Sequence, residues 1–325
     1  MDRLSNYQIV KAVNVLNHYL TPLDNSTYGS KMDKDTIANS MADNNATLKL
    51  MNYRDEPKYN DDLPGQPLFE DEIQVEGGEW YMTQDYKHRD ASYEEILHLV
   101  HDYGIGVSNS GSGVTGSGAL MGKINDKQIS SYNNKVWTPD KADYDEWLNE
   151  VSLDQEYLAA VIDSYYGLWG AWKGDKANPG SDKKGMWGMY SVKTREDFVG
   201  KDNVVPDVIE QLFHPSIQYT AYLSDKLSGD FSLRFDSSKP YTNHSRYLKN
   251  ITLNGSNNTR VILNSHNNII TGNKGVTTVV LQGSKSDYAL QLHPRALHAI
   301  GLGEYRAIDG SNSFYGDIRL EFLNK

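Results

Sequence analysis

The sequence predicts an α+β protein in two parts, a mainly helical part over residues 1–240 followed by a small all-β part over residues 241–325. Three observations predict it. Several segments ahead of Asp230 place apolar residues at helical spacing, and beyond it short Thr/Val/Ile/Leu runs separated by Asn, Gly and Ser take over. Within that tail, Ile251, Val261, Ile270 and Val279 recur at steps of nine or ten residues, with Asn pairs at Asn257-Asn258 and Asn267-Asn268. A repeat this short calls for stacked solenoid coils rather than independent strands. The change of texture puts the boundary near Ser238 to Asn243.

Composition narrows the function. A chain of 325 residues with 38% hydrophobic content can bury a real core. Its 32 Lys and Arg against 43 Asp and Glu leave a net charge of −11, which repels phosphates, so nucleic acid is not an expected partner. Cysteine is absent, so disulfides and thiolate metal sites are excluded, and any metal must sit on His, Asp or Glu. No apolar run approaches the roughly 20 residues that span a bilayer, and Met1 to Asn6 opens no hydrophobic signal core. Asn-x-Ser/Thr sequences such as Asn25-Ser26-Thr27 and Asn250-Ile251-Thr252 reflect an Asn-rich chain.

The first expected helix spans Asn6 to Leu20, with Ile9, Val13, Leu16 and Leu20 in register. A second covers Lys34 to Met51, opened by Asp33 or Asp35. Asn52 to Gly78, rich in Pro, Asp and Gly, reads as an irregular loop leading to a short strand at Glu79 to Thr83. Ser92 to Tyr103 is a helix with a sharp stop at Gly104, followed by a Gly/Ser-rich stretch from Gly106 to Gly118. Asp154 to Trp169 and Pro206 to Leu212 complete the helical part.

The helix over Ser92 to Tyr103 can carry chemistry. At about 100° per residue, with Glu94 at the origin, His98 falls near 40° and His101 near −20°, so three metal-ligating side chains share one stripe. Tyr93, Ile96, Leu97, Leu99 and Val100 take the opposite side for burial. Glu95 and Asp102 flank the stripe. Ser92 with Glu95 three residues on also fits a capping box, which offers Glu95 a purely structural role. An amphipathic helix with its polar face in water explains the same spacing.

The run Glu94-Glu95-Ile96-Leu97-His98-Leu99-Val100-His101-Asp102 resembles the active-site helix of the gluzincin, or thermolysin-like, metallopeptidases. Their H-E-x-x-H signature is followed four residues later by an Asp. The resemblance implies Glu95 as general base acting on a metal-bound water, His98 as a zinc ligand and Asp102 as the outer Asp. Glu94 stands where the family has its first His. Gluzincins draw a further ligand from a Glu on a following helix, a part that Glu156 is placed to play, with Asp163 behind it and the small Ala160 between them. Glu94, His98 and Glu156 then form a two-carboxylate, one-imidazole set akin to the sites that hold iron or manganese. Zinc is what the family implies, and His101 is the substitute should Glu94 turn away. Tyr165, Tyr166, Trp169, Trp172, Trp187 and Tyr190 read as core packing, or as the lining of a cleft. His18 and His214 read as packing residues.

In the tail, Thr271-Gly272-Asn273-Lys274-Gly275-Val276-Thr277-Thr278-Val279-Val280-Leu281-Gln282-Gly283 and Ser286-Asp287-Tyr288 are similar to the final coils of RTX proteins. Ile308 to Phe322 is similar to the sequence that closes such modules. RTX coils bind Ca²⁺ through Asp at each turn, and here Thr277 or Thr278 stands at that position, so calcium binding is expected to be weak or lost. The pairing of this helix with such a tail is similar to exported proteins of marine bacteria. It implies an extracellular metal-dependent hydrolase acting on peptides or proteins, with the β part serving secretion-system or cell-surface contact. The alternative is a non-catalytic binding or adhesion protein on a degenerate zincin scaffold.

Overall fold

A computed structural model of the chain describes residues 3–52, 64–84, 90–106, 117–172 and 189–324. Helices and sheets are both present, and the chain divides into two compact units. The first comprises Met1–Gln74 and Asp85–Pro215, the second Val75–Gln84 and Ser216–Lys325.

In chain order the elements ahead of the sheets are α1 (Asn6–Leu20), α2 (Lys31–Asp43), β1 (Leu48–Met51), β2 (Gln66–Phe69), α3 (Glu79–Thr83), α4 (Ser92–Val100), α5 (Ser117–Asn133), α6 (Lys141–Glu150), α7 (Leu153–Tyr165) and α8 (Glu210–Leu212). Ser5 and Gln8 form a capping box at the start of α1, and Ser30 with Asp33 does the same for α2, so Asp33 lies inside the first turn rather than capping it. The helix expected to reach Met51 ends at Asp43. Asn45 takes a left-handed φ of 56°, and Leu48–Met51 becomes a strand paired in parallel with β2. The strand expected at Glu79–Thr83 is a single helical turn, and it belongs to the second unit. α5 and α6, which the sequence reading did not anticipate, precede α7.

α4 is central to the first unit, packing on α1, α7 and β2. Tyr93, Ile96, Leu97, Leu99 and Val100 are all buried there, the face that the spacing predicts. Helical geometry continues past Val100 as a π-helical turn over His101–Ile105. The stop expected at Gly104 falls instead at Gly106, which has φ 100°, and Gly104 inside the turn is a packing requirement: a Cβ there would lie 2.7 Å from Ile37 Cγ2 and 2.9 Å from Met41 Cγ of α2. Tyr165, Tyr166, Trp169, Trp172 and Tyr190 are buried core residues, while Trp187 and the stretch 107–116 lie outside the described residues.

The second unit holds β3 (Ile217–Tyr222), β4 (Gly229–Ser232), β5 (Leu248–Thr252), β6 (Thr259–Ile262), β7 (Ile269–Thr271), β8 (Thr277–Leu281), β9 (Tyr288–His293), β10 (Ala296–Gly301), β11 (Ser311–Tyr315) and β12 (Ile318–Phe322), with short helices α9 (Thr242–Ser245) and α10 (Tyr305–Asp309). One sheet runs β3-β5-β7-β11-β10-β9 and the other β12-β8-β6-β4. Successive strands from β3 to β8 alternate between the sheets and pair in parallel, as do β11 and β12. The register lines up Ala221, Ile251, Ile270 and Phe314 in one sheet and Phe231, Val261, Val279 and Leu320 in the other. Each step of nine or ten residues in the sequence therefore crosses to the other sheet, and two steps return one strand further on. The antiparallel hairpin β9–β10 is inserted before the last pair.

Besides Val75–Gln84, this unit takes the chain from Ser216 onward, ahead of the boundary expected near Ser238 to Asn243. β3 and β4 already stack on β5 and β6, but the loop and helix over 233–247 separate them, so their sequence spacing hides the repeat.

Candidate metal centre

The site is built on α4, and the start of that helix is anchored from two sides. Lys11 of α1 is buried and donates Nζ to the Gln74 carbonyl and to the Asp90 carboxylate. The other oxygen of Asp90 accepts from Ser92 N at 3.2 Å and Ser92 Oγ at 2.6 Å. The N-cap is Ala91, and Ser92 is already inside the helix, so the expected capping box does not form. Glu95 is thereby released from capping: its Oε2 accepts from Gln66 Nε2 of β2 at 2.5 Å and lies 3.9 Å from His98 Nδ1.

Glu94 and His98, one turn apart on α4, meet Glu156 from the first turn of α7. One ligand atom from each lies within 4.8 Å of the others, and His98 Nε2 is 3.9 Å from Glu156 Oε1. A cation with bonds of about 2 Å would hold such atoms about 3–4 Å apart, an inward shift within the reach of side-chain torsions. Glu94 is buried, and His98 and Glu156 are partly buried. Two carboxylates beside an imidazole in a partly desolvated setting suit a divalent cation, and the mixture of hard oxygens with one nitrogen fits zinc, iron or manganese alike.

His101 does not join the group. The π-helical turn carries it into the core, where it is fully buried with Nε2 3.2 Å from Met121 Sδ of α5. Burial, with His98 close by, holds its pKa down to about 3. Asp102 accepts a hydrogen bond from Gln155 of α7; partial desolvation raises its pKa while the amide lowers it. Asp163 lies two turns beyond Glu156, fully buried, and Ala160 between them is buried as well. Tyr19 has its phenol pushed up by burial and then by Tyr166, Asp163, Asp90 and Glu94. His18 bonds Tyr166 Oη at 2.9 Å, and His214 Nε2 bonds the Pro22 carbonyl at 2.7 Å, so both are packing residues.

Sequence reasoning missed Gln66 and Gln155, the two amides that hold the acidic residues flanking the cluster. Gln66 lies in a stretch rich in Pro and Asp, with no periodicity to single it out. Gln155 is concealed inside Asp154-Gln155-Glu156, where the carboxylates draw attention. Against known proteins, the chain matches no family model, no curated protein and no solved structure.

Proposed function

We propose that the protein is a metal-dependent hydrolase, peptidase-like in its chemistry, with Glu94, His98 and Glu156 as the cation ligands. The observation that carries this reading is the convergence of those three donors from two helices within 4.8 Å. Zinc follows from the likeness of α4 to the gluzincin helix, and the two-carboxylate set also suits iron or manganese. A divalent cation held there supplies Lewis acidity toward a carbonyl oxygen and acidifies water.

The remaining work falls to the chain. Glu95 is adjacent in sequence to Glu94 and oriented by Gln66, and it takes the proton of the attacking water at a carboxylate oxygen and delivers it to the departing amine. Gln66 fixes which carboxylate oxygen is engaged. His98 offers a ring nitrogen as ligand. The likeness of the tail sequence to RTX coils supports export or surface attachment, and with it an extracellular peptide or protein substrate.

A second reading is a non-catalytic binding or adhesion protein on the same scaffold, favoured by Glu94 in place of the first His of the gluzincin signature. Elemental analysis separates the two. One equivalent of transition metal that is lost in His98→Ala and kept in His214→Ala supports the hydrolase; no metal under any loading condition supports the binding protein. With metal present, Glu95→Gln should reduce cleavage of a fluorogenic peptide library by about 10²- to 10⁴-fold while metal content stays the same. A Glu95→Gln variant with full activity removes Glu95 as the base.

A further inference from the structure

Glu156 reaches the cluster from the first turn of α7, and the way that turn is held has a functional reading. Val151, just before the helix, sits at φ 63° and ψ 32°. A β-branched side chain in the left-handed region is strained, because its Cβ substituents crowd the following carbonyl. Ser152 occupies the N-cap without a side-chain hydrogen bond to the helix, and its hydroxyl is buried with no partner among the described residues. No side-chain cap therefore sets the start of α7, where the Ser152 carbonyl accepts from Gln155 N at 2.9 Å and Glu156 N at 3.1 Å.

Two side-chain tethers act in its place. Asn125 of α5 donates Nδ2 to Asp154 at 3.3 Å, and the buried Gln155 donates Nε2 to Asp102. The second tether joins the two backbone segments that carry the ligands, one residue from Glu156 and four residues past His98. Asp102 belongs to the π-helical turn over His101–Ile105, whose wider spiral changes the direction of the side chains that follow α4.

We infer that Gln155 is a positioning residue of the metal centre, and that it holds Glu156 in place against the strain at Val151. The inference rests on the cation-binding reading above. Without the Gln155–Asp102 bond, Val151 relaxes toward a negative φ, the first turn of α7 swings, and Glu156 leaves the donors on α4. The tether is an amide donor on a carboxylate oxygen, so an amide oxygen at position 102 can replace the acceptor.

The test is calorimetric titration of Zn²⁺, and separately of Mn²⁺, into the full chain with folding followed by circular dichroism. Gln155→Ala should weaken binding of both cations by about 10- to 100-fold, the range for losing a group that orients a ligand. Asp102→Ala should do the same, and Asp102→Asn, which keeps an acceptor for Gln155, should bind within about threefold of wild type. Adding Val151→Gly to Gln155→Ala should restore most of the affinity, because glycine takes the positive φ without strain. A general loss of packing would not be repaired by that second change.

Wild-type affinity in Gln155→Ala overturns the assignment, as does an Asp102→Asn variant as weak as Asp102→Ala. Failure of Val151→Gly to rescue overturns the strain. If Gln155→Ala does not fold, the Asp102 pair decides. A wild-type chain that binds neither cation overturns the metal centre itself and the role of Gln155 with it, whereas cation binding indifferent to Gln155 overturns the role alone.

Discussion

The helical unit and the coil unit both bury polar groups, and they satisfy them by opposite means. In the coils, asparagine side chains turn inward onto backbone carbonyls. Asn264 Nδ2 donates to the Leu248 carbonyl at 2.8 Å and the Arg246 carbonyl at 3.1 Å, Asn268 to Lys249 at 2.9 Å, and Asn273 to Asn254 at 3.1 Å and Asn257 at 2.9 Å. The donors are neutral, local to each turn and repeated from coil to coil. A Cβ on Gly275 would come within 2.5 Å of the Ser256 and Asn257 carbonyl oxygens, so the turns stack at backbone contact. In the helical unit, Glu94, His98 and Glu156 are buried or half-buried, all of them charged or chargeable, and Glu156 comes to the other two from a helix distant in the chain. Amide ladders close a structure, whereas converging carboxylates suit a cation.

That contrast can be broken experimentally. The largest expected effect is in the coils: Ile270→Ala removes a fully buried side chain from the column of Ala221, Ile251, Ile270 and Phe314 and should cost about 3–4 kcal/mol in denaturant unfolding, with cation affinity unchanged. A loss below about 1 kcal/mol would mean that this column is not the core of the coils.

The next effect concerns a buried cation in the helical unit. Lys34 donates to the Tyr19 carbonyl at 2.5 Å and lies over the Phe213 ring, and burial pulls its pKa down to about 7 against a weaker opposing pull from Asp33. The unfolded chain keeps this proton up to its ordinary pKa of 10.5, whereas the folded chain releases it near 7. Unfolding thus takes up a proton in that window, so the contribution of Lys34 to stability rises as pH goes from about 7 to about 10 and is lowest below 7. Lys34→Met should raise stability at pH 7 by about 1–3 kcal/mol and flatten the alkaline rise, as read from urea midpoints at several pH values. An unchanged slope would show that Lys34 is not the titrating group.

The smallest effect tests the coil turns. Asn264→Ala, which removes donors to two carbonyls, should cost about 1–2 kcal/mol. Millimolar Ca²⁺ should leave the melting temperature of the wild-type chain within about a degree, since the amides already engage the carbonyl oxygens and no group of Asp side chains gathers at the turns among the described residues. A calcium-dependent rise of several degrees would instead put a cation among these asparagines.

The terminal cap closes differently, on the buried carboxylate of Asp309. Tyr288 Oη donates to Asp309 and accepts from Gly283 N at 2.8 Å, while Arg234 reaches Asp309 at 3.1 Å and the Ile308 carbonyl at 2.8 Å. These contacts join the Ser286-Asp287-Tyr288 and Ile308-Asp309-Gly310 segments that the sequence already singles out.

What the sequence determines by itself is local and periodic. The apolar back of α4, the placing of Glu94 and His98 one turn apart, and the inward-facing Ile251, Val261, Ile270 and Val279 all follow from spacing, because a helix or strand repeats its faces at a set period whatever it packs against. What only the tertiary structure decides is which faces meet. It brings Glu156 to His98, turns His101 into the core through the π-helical turn, and gives Glu95 to Gln66 instead of to a capping box. It also splits the expected second helix into α2 and β1. Each of these outcomes depends on burial summed over residues far apart in the chain, and no window of neighbouring residues contains that sum.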